Sequence, residues 1–477
     1  MIRLFLAVCA LAAAGSPAAA LTAAAAKVDI SPDIENQRIY LAGYGAKGRR
    51  PKGVHDPLHA RILVLNDGGK TVAIVGLDLL GYTRNDTEEL RRLSGFTGPD
   101  KYLFVAASHQ HAGPDTLGLW GPLPGISGVN KAYHRQIKDK ISAALREAQT
   151  RLEPARLEGS LKAIDPTGIC KDLRNPTVID PDLGVARFVG KDGRTLATIV
   201  NYSCHPEVLS KHNWMISADF PGPLCDDVEQ ALGGTCVYLS GSIGGLLSPD
   251  NTRDDFFETH RIGAALAAKA VAQAKAPAVR DPSPKLAWKS EVILVPVENP
   301  RYLAFLPALT FGHELKERSG RTIPDWRAYD LALRHILGLL PAEKRPWVET
   351  EVSVVDVGPL RLLGIPAEIF PELVIGGYDG RYKFKWPLID PDNPDPPDLS
   401  KAPKGPYLKQ LVGKPLPFVV GLANDEIGYL VPEYDFKRKD NVTLLPRLPG
   451  HHYEETNSIG KSATGLVVEA AKRLVSR

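Results

Sequence analysis

Apolar positions along the chain follow two periods. Tyr102 to Ala107, Thr195 to Tyr202, Thr235 to Ser240 and Phe418 to Leu422 are short continuous runs, which read as buried strands. Lys131 to Thr150, Glu258 to Ala276 and residues 461–477 instead carry apolar positions at helical spacing. His59 to Leu65 and Lys70 to Leu79 are expected to pair as a hairpin around Asn66-Asp67-Gly68-Gly69, a dense turn signal. Further strands are expected over residues 22–32, Arg156 to Leu161, Val185 to Val189, 288–297 and, as a pair about Gly358-Pro359, within Val352 to Ile365. Asp86 to Ser94 reads as a short helix, and residues 300–346 as a helical lid or covering layer. No internal repeat and no linker divides the chain, so one large α/β domain is expected.

The residues at the strand exits carry more chemistry than the strands themselves. The run from Tyr102 stops at Ser108, and His109 and His111 precede the turn at Gly113-Pro114. In an extended segment residues i and i+2 point the same way, so both imidazoles are expected to face one cavity. His-x-His alone fits two surface imidazoles on a turn as well as half a zinc site. The pattern then repeats. Thr195 to Tyr202 runs into Cys204-His205-Pro206, and Thr235 to Ser240 into a Gly-rich loop that presents Ser248. Val352 to Ile365 leads to Glu368, whose plain alternative is a first-turn glutamate of a helix. Phe418 to Leu422 leads to Asn424, Asp425, Glu426 and Tyr429. Chemistry in α/β sheets gathers at the carboxyl ends of strands. Two histidines, a carboxylate and an oxygen ligand from scattered strands make an N/O zinc site with room for a water. Asp219 reads equally as a carboxylate behind one imidazole or as a helix N-cap.

Composition narrows the partners. A net charge of +3 on 477 residues, with aromatics spread along the chain, gives no sign of nucleic acid or an anionic membrane as the main partner, so no nucleic acid is expected. The basic patch Lys47, Arg49, Arg50 and Lys52 reads as a solvated loop with no catalytic role, and Gly376 to Pro415 as a Pro- and Asp-rich loop long enough to overhang a cleft. Arg3, the apolar stretch Leu4 to Ala14 and the small residues up to Ala20 have the layout of a cleaved leader over residues 1–20, with Cys9 inside its apolar part. The expected location is therefore exported, periplasmic or secreted. Of the four remaining cysteines, Cys170, Cys204, Cys225 and Cys236, the last two flank a helix closely enough to be disulfide candidates. Cys204 reads as a buried thiol rather than a ligand.

Taken together, Gly53-Val-His-Asp-Pro-Leu-His-Ala-Arg61, Ser108-His-Gln-His-Ala-Gly-Pro114, Asn201-Tyr-Ser-Cys-His-Pro206, Ser217-Ala-Asp219, Gly245-Leu-Leu-Ser-Pro-Asp-Asn251, Gly364-Ile-Pro-Ala-Glu368, Gly421-Leu-Ala-Asn-Asp-Glu-Ile-Gly-Tyr429 and Tyr453-Glu454 resemble the neutral/alkaline, non-lysosomal ceramidase family. That family hydrolyses the amide of ceramide with one zinc in a deep pocket. The resemblance implies an α/β fold of central mixed β-sheets covered by helices, in αββα layers, over residues 21–477. It implies one zinc per chain on His109, His205, Glu368 and Tyr429. It makes His111 a proton carrier beside the metal, Ser248 the nucleophile or the group that orients the amide, and Tyr453 a cover over the site. Arg174 is the nearest match to the family's substrate-contacting arginine.

The resemblance also implies a small-molecule or lipid substrate like ceramide, with peripheral contact to membrane or lipid aggregates. Water activated by zinc is the expected attacking group, because no histidine adjoins Ser248 in sequence to serve as its base. The chain departs from the family at Gln110 and Ala367, in the insertion over 376–415 and in extra residues before Tyr453. Well-studied members continue into an immunoglobulin-like sandwich, whereas the catalytic domain alone is expected here. These departures leave open a different, soluble amide or ester as substrate, and, less in keeping with the intact ligand set, a binding protein without activity.

Overall fold

The computed structural model describes residues 20–438 and 452–476. The expected leader with Cys9 and most of the extra stretch before Tyr453 therefore lie outside the described residues. Two mixed sheets stack face to face. The larger runs in the order Thr235–Ser240, Thr195–Tyr202, Asp182–Gly190, Glu153–Ala163, Thr22–Asp29, His59–Asn66, Thr71–Leu77, Lys101–Ala107, with Val279–Asp281 beside Glu153–Ala163. Its two terminal pairs are parallel and the pairs between them antiparallel. The smaller sheet runs Leu286–Pro296, Trp347–Val357, Leu360–Gly364, Leu416–Val420, and only its last pair is parallel. The expected hairpin forms where Asn66 and Asp67 accept hydrogen bonds from the amides of Gly68, Gly69 and Lys70.

Alternation along each strand serves two interfaces at once. Leu63 and Leu65 point inward with Ile74, Phe104, Phe188 and Ile199, and meet Val355, Leu360, Leu362 and Phe418 of the other sheet. Ile62, Val64 and Val75 point outward against Tyr133, Ile137, Ile141 and Leu145 of helix Lys131–Thr150. A strand covered on both faces reads as a continuous apolar run for this reason. Helices Pro221–Leu232 and Phe256–Lys275 cover the rest of that face through Leu224, Val228, Ile262 and Leu266. Lys461–Ser476 covers the smaller sheet through Val467, Ala471 and Leu474. The layers are helix, sheet, sheet, helix, as expected. Truncating Phe104 or Phe418 to alanine at the sheet interface costs about 3–5 kcal/mol.

Several local expectations change. Residues 300–346 form a covering layer of short helices, Pro300–Ala304, Leu306–Leu309 and Trp326–Ile336, and Leu315–Lys316 joins the smaller sheet. Ser248 lies in a short strand, Leu247–Pro249, paired antiparallel with Cys170–Asp172. The 376–415 stretch packs down rather than overhanging a cleft. Lys409 pairs with Asp180 and Asp182 at 2.8 and 2.7 Å, and the Asp390 amide donates to Asn175 at 3.0 Å. Cys170, Cys204, Cys225 and Cys236 are all buried free thiols, so the structure forms no bond between Cys225 and Cys236. Among the described residues no helix is long and apolar enough to cross a membrane.

Candidate metal centre

Strand Lys101–Ala107 ends beneath the site, but His109 and His111 do not converge by extended alternation. His109 takes a left-handed backbone (φ 67°), its amide bonded to the Leu79 carbonyl at 2.9 Å. His111 is brought back by its own amide, which donates to Pro206 at 3.1 Å. Between them the buried Gln110 fastens the bend, donating to the Asp78 carbonyl and accepting from the Ala112 amide. Asp78 itself points away, paired with Arg61. The bend sets the two rings 4.9 Å apart, and His205 lies 5.2 Å from His109. Asp219, Leu246, Leu422 and Asn424 also have left-handed backbones, all in loops at these strand exits. Such strain is held where the surroundings over-determine it, commonly around functional sites.

The imidazoles are fixed from behind. His109 Nδ1 faces the Leu80 carbonyl at 2.7 Å, and His205 Nδ1 faces the Leu247 carbonyl at 3.1 Å. A ring nitrogen against a carbonyl must carry the proton, which leaves each Nε2 unprotonated with its lone pair aimed inward. Burial pushes His109 down to about 4 and also lowers His205, so both are neutral and ready to ligate. Glu368 and Tyr429 arrive together because Glu368–Ile369 and Tyr429–Leu430 pair in parallel, with these two residues in register. Glu368 thus precedes the short helix Pro371–Ile375 and is not its first-turn carboxylate. Glu368 Oε2 is 3.4 Å from His109 Nε2, and Tyr429 Oη is 3.3 Å from His205 Nε2. A tetrahedron with bonds of about 2.0–2.1 Å sets its donor atoms about 3.3–3.4 Å apart, so this set fits a divalent cation. The 2.8 Å contact between Glu368 Oε2 and His205 Nε2 is a hydrogen-bond distance that must open to admit an ion. His109, His111 and His205 also offer nitrogen atoms within 4.8 Å of one another. A second ligand set thus shares two members with the first.

Sequence reasoning missed one residue here. Glu207 accepts a hydrogen bond from the Ser248 hydroxyl and faces His111 Nδ1 at 3.5 Å. Its only sequence signal was its place two residues after His205 in a Pro-turn. Asp219 is neither an N-cap nor a partner of an imidazole. It accepts the amides of Val208 at 3.3 Å and Leu209 at 3.0 Å, pinning the loop that carries Glu207. Both His111 nitrogens lack a hydrogen-bond partner, and the ring sits edge-on to Tyr44 at 5.1 Å. Gly43 is required beneath it, because a Cβ there would meet His111 Cγ at 2.6 Å.

Gly43, Tyr44, His111, Glu207, Ser248 and Tyr429 line a cavity of about 1010 Å³. Trp120, Pro124, Leu246 and Phe305 give it apolar walls, while His111, Glu207, Ser248, Tyr429 and Tyr453 line its depth. Burial pushes the Tyr453 hydroxyl up to about 12, and its ring stands edge-on to Tyr429 at 6.3 Å. No residue of 376–415 lines the cavity. Arg174 takes a place other than the expected one. It is 2% exposed, and its guanidinium is taken up by Asp435, Glu454 and Glu455 at 2.8–2.9 Å. Arg49 and Arg301 are the arginines that face the cavity.

No family model matches the chain. It is 25% identical over 272 residues to a neutral ceramidase of Pseudomonas aeruginosa, a match over 51% of this chain and 40% of that relative. A solved ceramidase complexed with C2 has the same fold, with a TM-score of 0.66 at 18% identity. The likeness covers 96% of this chain and 75% of that one. A crystal structure of neutral ceramidase from Pseudomonas aeruginosa aligns with a TM-score of 0.65 at the same identity and coverage. The chain is thus similar in sequence to a neutral ceramidase over about half of its length, spans less than half of that relative, and shares its fold with the solved ceramidases.

Proposed function

We propose that the protein is an exported, zinc-dependent amidohydrolase that cleaves the N-acyl bond of ceramide or a related N-acyl lipid, releasing a fatty acid and an amine. One observation carries this reading. The Nε2 atoms of His109 and His205 converge with Glu368 and Tyr429, and Tyr429 also lines an apolar-walled cavity together with His111 and Ser248. Export is supported by the leader pattern of residues 1–20. One zinc per chain is assigned to His109, His205, Glu368 and Tyr429, because two imidazoles, a carboxylate and a phenol are a donor set suited to it.

A zinc bound there supplies a Lewis acid and brings a water toward neutral pKa. The chain's own groups do the rest. His111, neutral and unbonded at both nitrogens, takes a proton during attack and returns it to the departing amine. Ser248 has committed its proton to Glu207, so it presents lone pairs to the cavity and accepts the N–H of the scissile amide. Tyr453 stays protonated and stands over the site as a donor. Trp120, Leu246 and Phe305 hold the acyl chain and exclude bulk water. A hydrolysis panel spanning ceramide, N-acyl amino acids and simple esters tests the reading. Amide cleavage that disappears in His205→Ala is the expected outcome, and cleavage of esters alone contradicts it.

A further inference from the structure

The basic patch Lys47, Arg49, Arg50 and Lys52 reads in sequence as a solvated loop, yet Arg49 enters the cavity wall, next to Gly43, which packs under His111. Arg49 lies across Tyr44 at 5.5 Å and Trp214 at 5.9 Å, and Tyr44 in turn touches His111. One end of its guanidinium, Nη1, donates to the carbonyls of Lys211 and Asn213. Nε and Nη2 are buried and have no partner. Among the described residues no carboxylate pairs with Arg49. Arg49 as a whole is half-buried, and the fully buried arginines among the described residues are each neutralised: Arg61 by Asp78, Arg91 by Glu351, Arg174 by three acids. A buried donor left unpaired costs free energy, and a guanidinium fork fits a planar or tetrahedral anion.

The surroundings repeat this bias. Arg301 lines the same cavity, held by Asn457 Oδ1 at 3.1 Å, and the exposed Lys211 and His212 stand at its mouth. Among the described residues the lining holds one carboxylate, Glu207, which is already engaged by Ser248 and faces His111. A ceramide offers only hydroxyls and an amide to these cations. We propose that the natural substrate is an N-acyl amide bearing an anionic group, a carboxylate, sulfonate or phosphate, that is bound by Arg49 with Arg301 and Lys211 in support. The inference rests on the amidohydrolase reading and narrows its substrate.

Three amides of one acyl length test it: N-octanoylglycine, N-octanoyltaurine and the neutral N-octanoylethanolamine. The two anions should exceed the neutral amide in kcat/KM by about tenfold to a hundredfold, the range of one charge-assisted hydrogen-bonded pair. The preference should act through KM and shrink as salt is raised. Arg49→Gln should abolish it, Arg49→Lys should restore part of it, and Arg301→Gln should weaken it, with melting temperatures confirming that each variant folds. Equal or better cleavage of the neutral amide, or an equal loss on all three in Arg49→Gln, overturns the inference and leaves the hydrolase reading intact. Turnover and anion binding are separated by calorimetry on His205→Ala. Tighter binding of N-octanoyltaurine than of N-octanoylethanolamine supports the anion site even if no amide is cleaved, and equal binding refutes it.

Discussion

The hydroxyl of Ser248 donates its hydrogen bond to Glu207, and the same carboxylate faces His111 at 3.5 Å. Ser248 and Glu207 are thereby joined into one polar unit, with the unbonded His111 ring next to it. The serine's proton is already placed, so its remaining capacity is to accept.

That bond sets the mechanistic role of Ser248. If Ser248 orients the amide while water attacks, Ser248→Ala should lower kcat by about 10²–10³-fold, the loss of one oriented hydrogen bond. No acyl-enzyme should then accumulate with slow substrates. Mass spectrometry of quenched enzyme is the check. An acyl adduct on Ser248 makes it a covalent nucleophile with Glu207 as its proton acceptor.

His111 distinguishes the two ligand sets. As a proton carrier it should contribute about 10²–10⁴-fold to kcat and little to metal affinity. His111→Ala is therefore expected to keep its metal while losing turnover. Metal loss equal to that of His109→Ala would show instead that the three imidazoles hold the ion.

Arg174 belongs to stability rather than to substrate binding. Removing it strands Asp435, Glu454 and Glu455 in the interior. Arg174→Met should destabilise the fold by about 3–5 kcal/mol, the cost of breaking a buried charge cluster. Thermal and denaturant unfolding read this directly. A variant of unchanged stability with a raised KM would return Arg174 to the substrate.

One acid of that cluster, Glu455, and one near it, Glu372, set opposing pH trends. Burial works to raise Glu455, but hydrogen bonds from His452 and Arg174 prevail and hold it down to about 2. Its contribution is present above its unfolded pKa of about 4.3 and is lost as pH falls toward 2. Burial pushes Glu372 up to about 8, so it stays protonated in the fold after the unfolded chain has ionised. Its contribution is present at low pH and is lost as pH rises from about 4.3 through 8. Glu372→Gln should flatten the loss of stability on the alkaline side and leave the acid limb unchanged. An unaltered alkaline slope contradicts the assignment.

The strand exits were legible because buried strands leave continuous apolar runs, and polar residues at their ends stand out against them. His109, His205, Glu368 and Tyr429 converge because the exits converge, which topology decides and sequence only hints at. His109 and His111 were read as extended neighbours, whereas a left-handed bend brings their rings 4.9 Å apart. Glu207 was hidden because a glutamate after a proline is ordinary, and its bond to Ser248 spans 41 residues. For a similar cause Arg174, expected at the substrate, lies buried among carboxylates, while Arg49, expected in a solvated loop, lines the cavity. Which arginine finds a carboxylate depends on contacts up to 281 residues away.

The metal content of the purified protein tests the central claim most directly. Elemental analysis after gentle purification should find about one zinc per chain in the wild type and essentially none in His205→Ala, with His205→Ala still folded. Absence of any stoichiometric transition metal from active wild-type enzyme, or full retention of zinc in His205→Ala, would contradict the account.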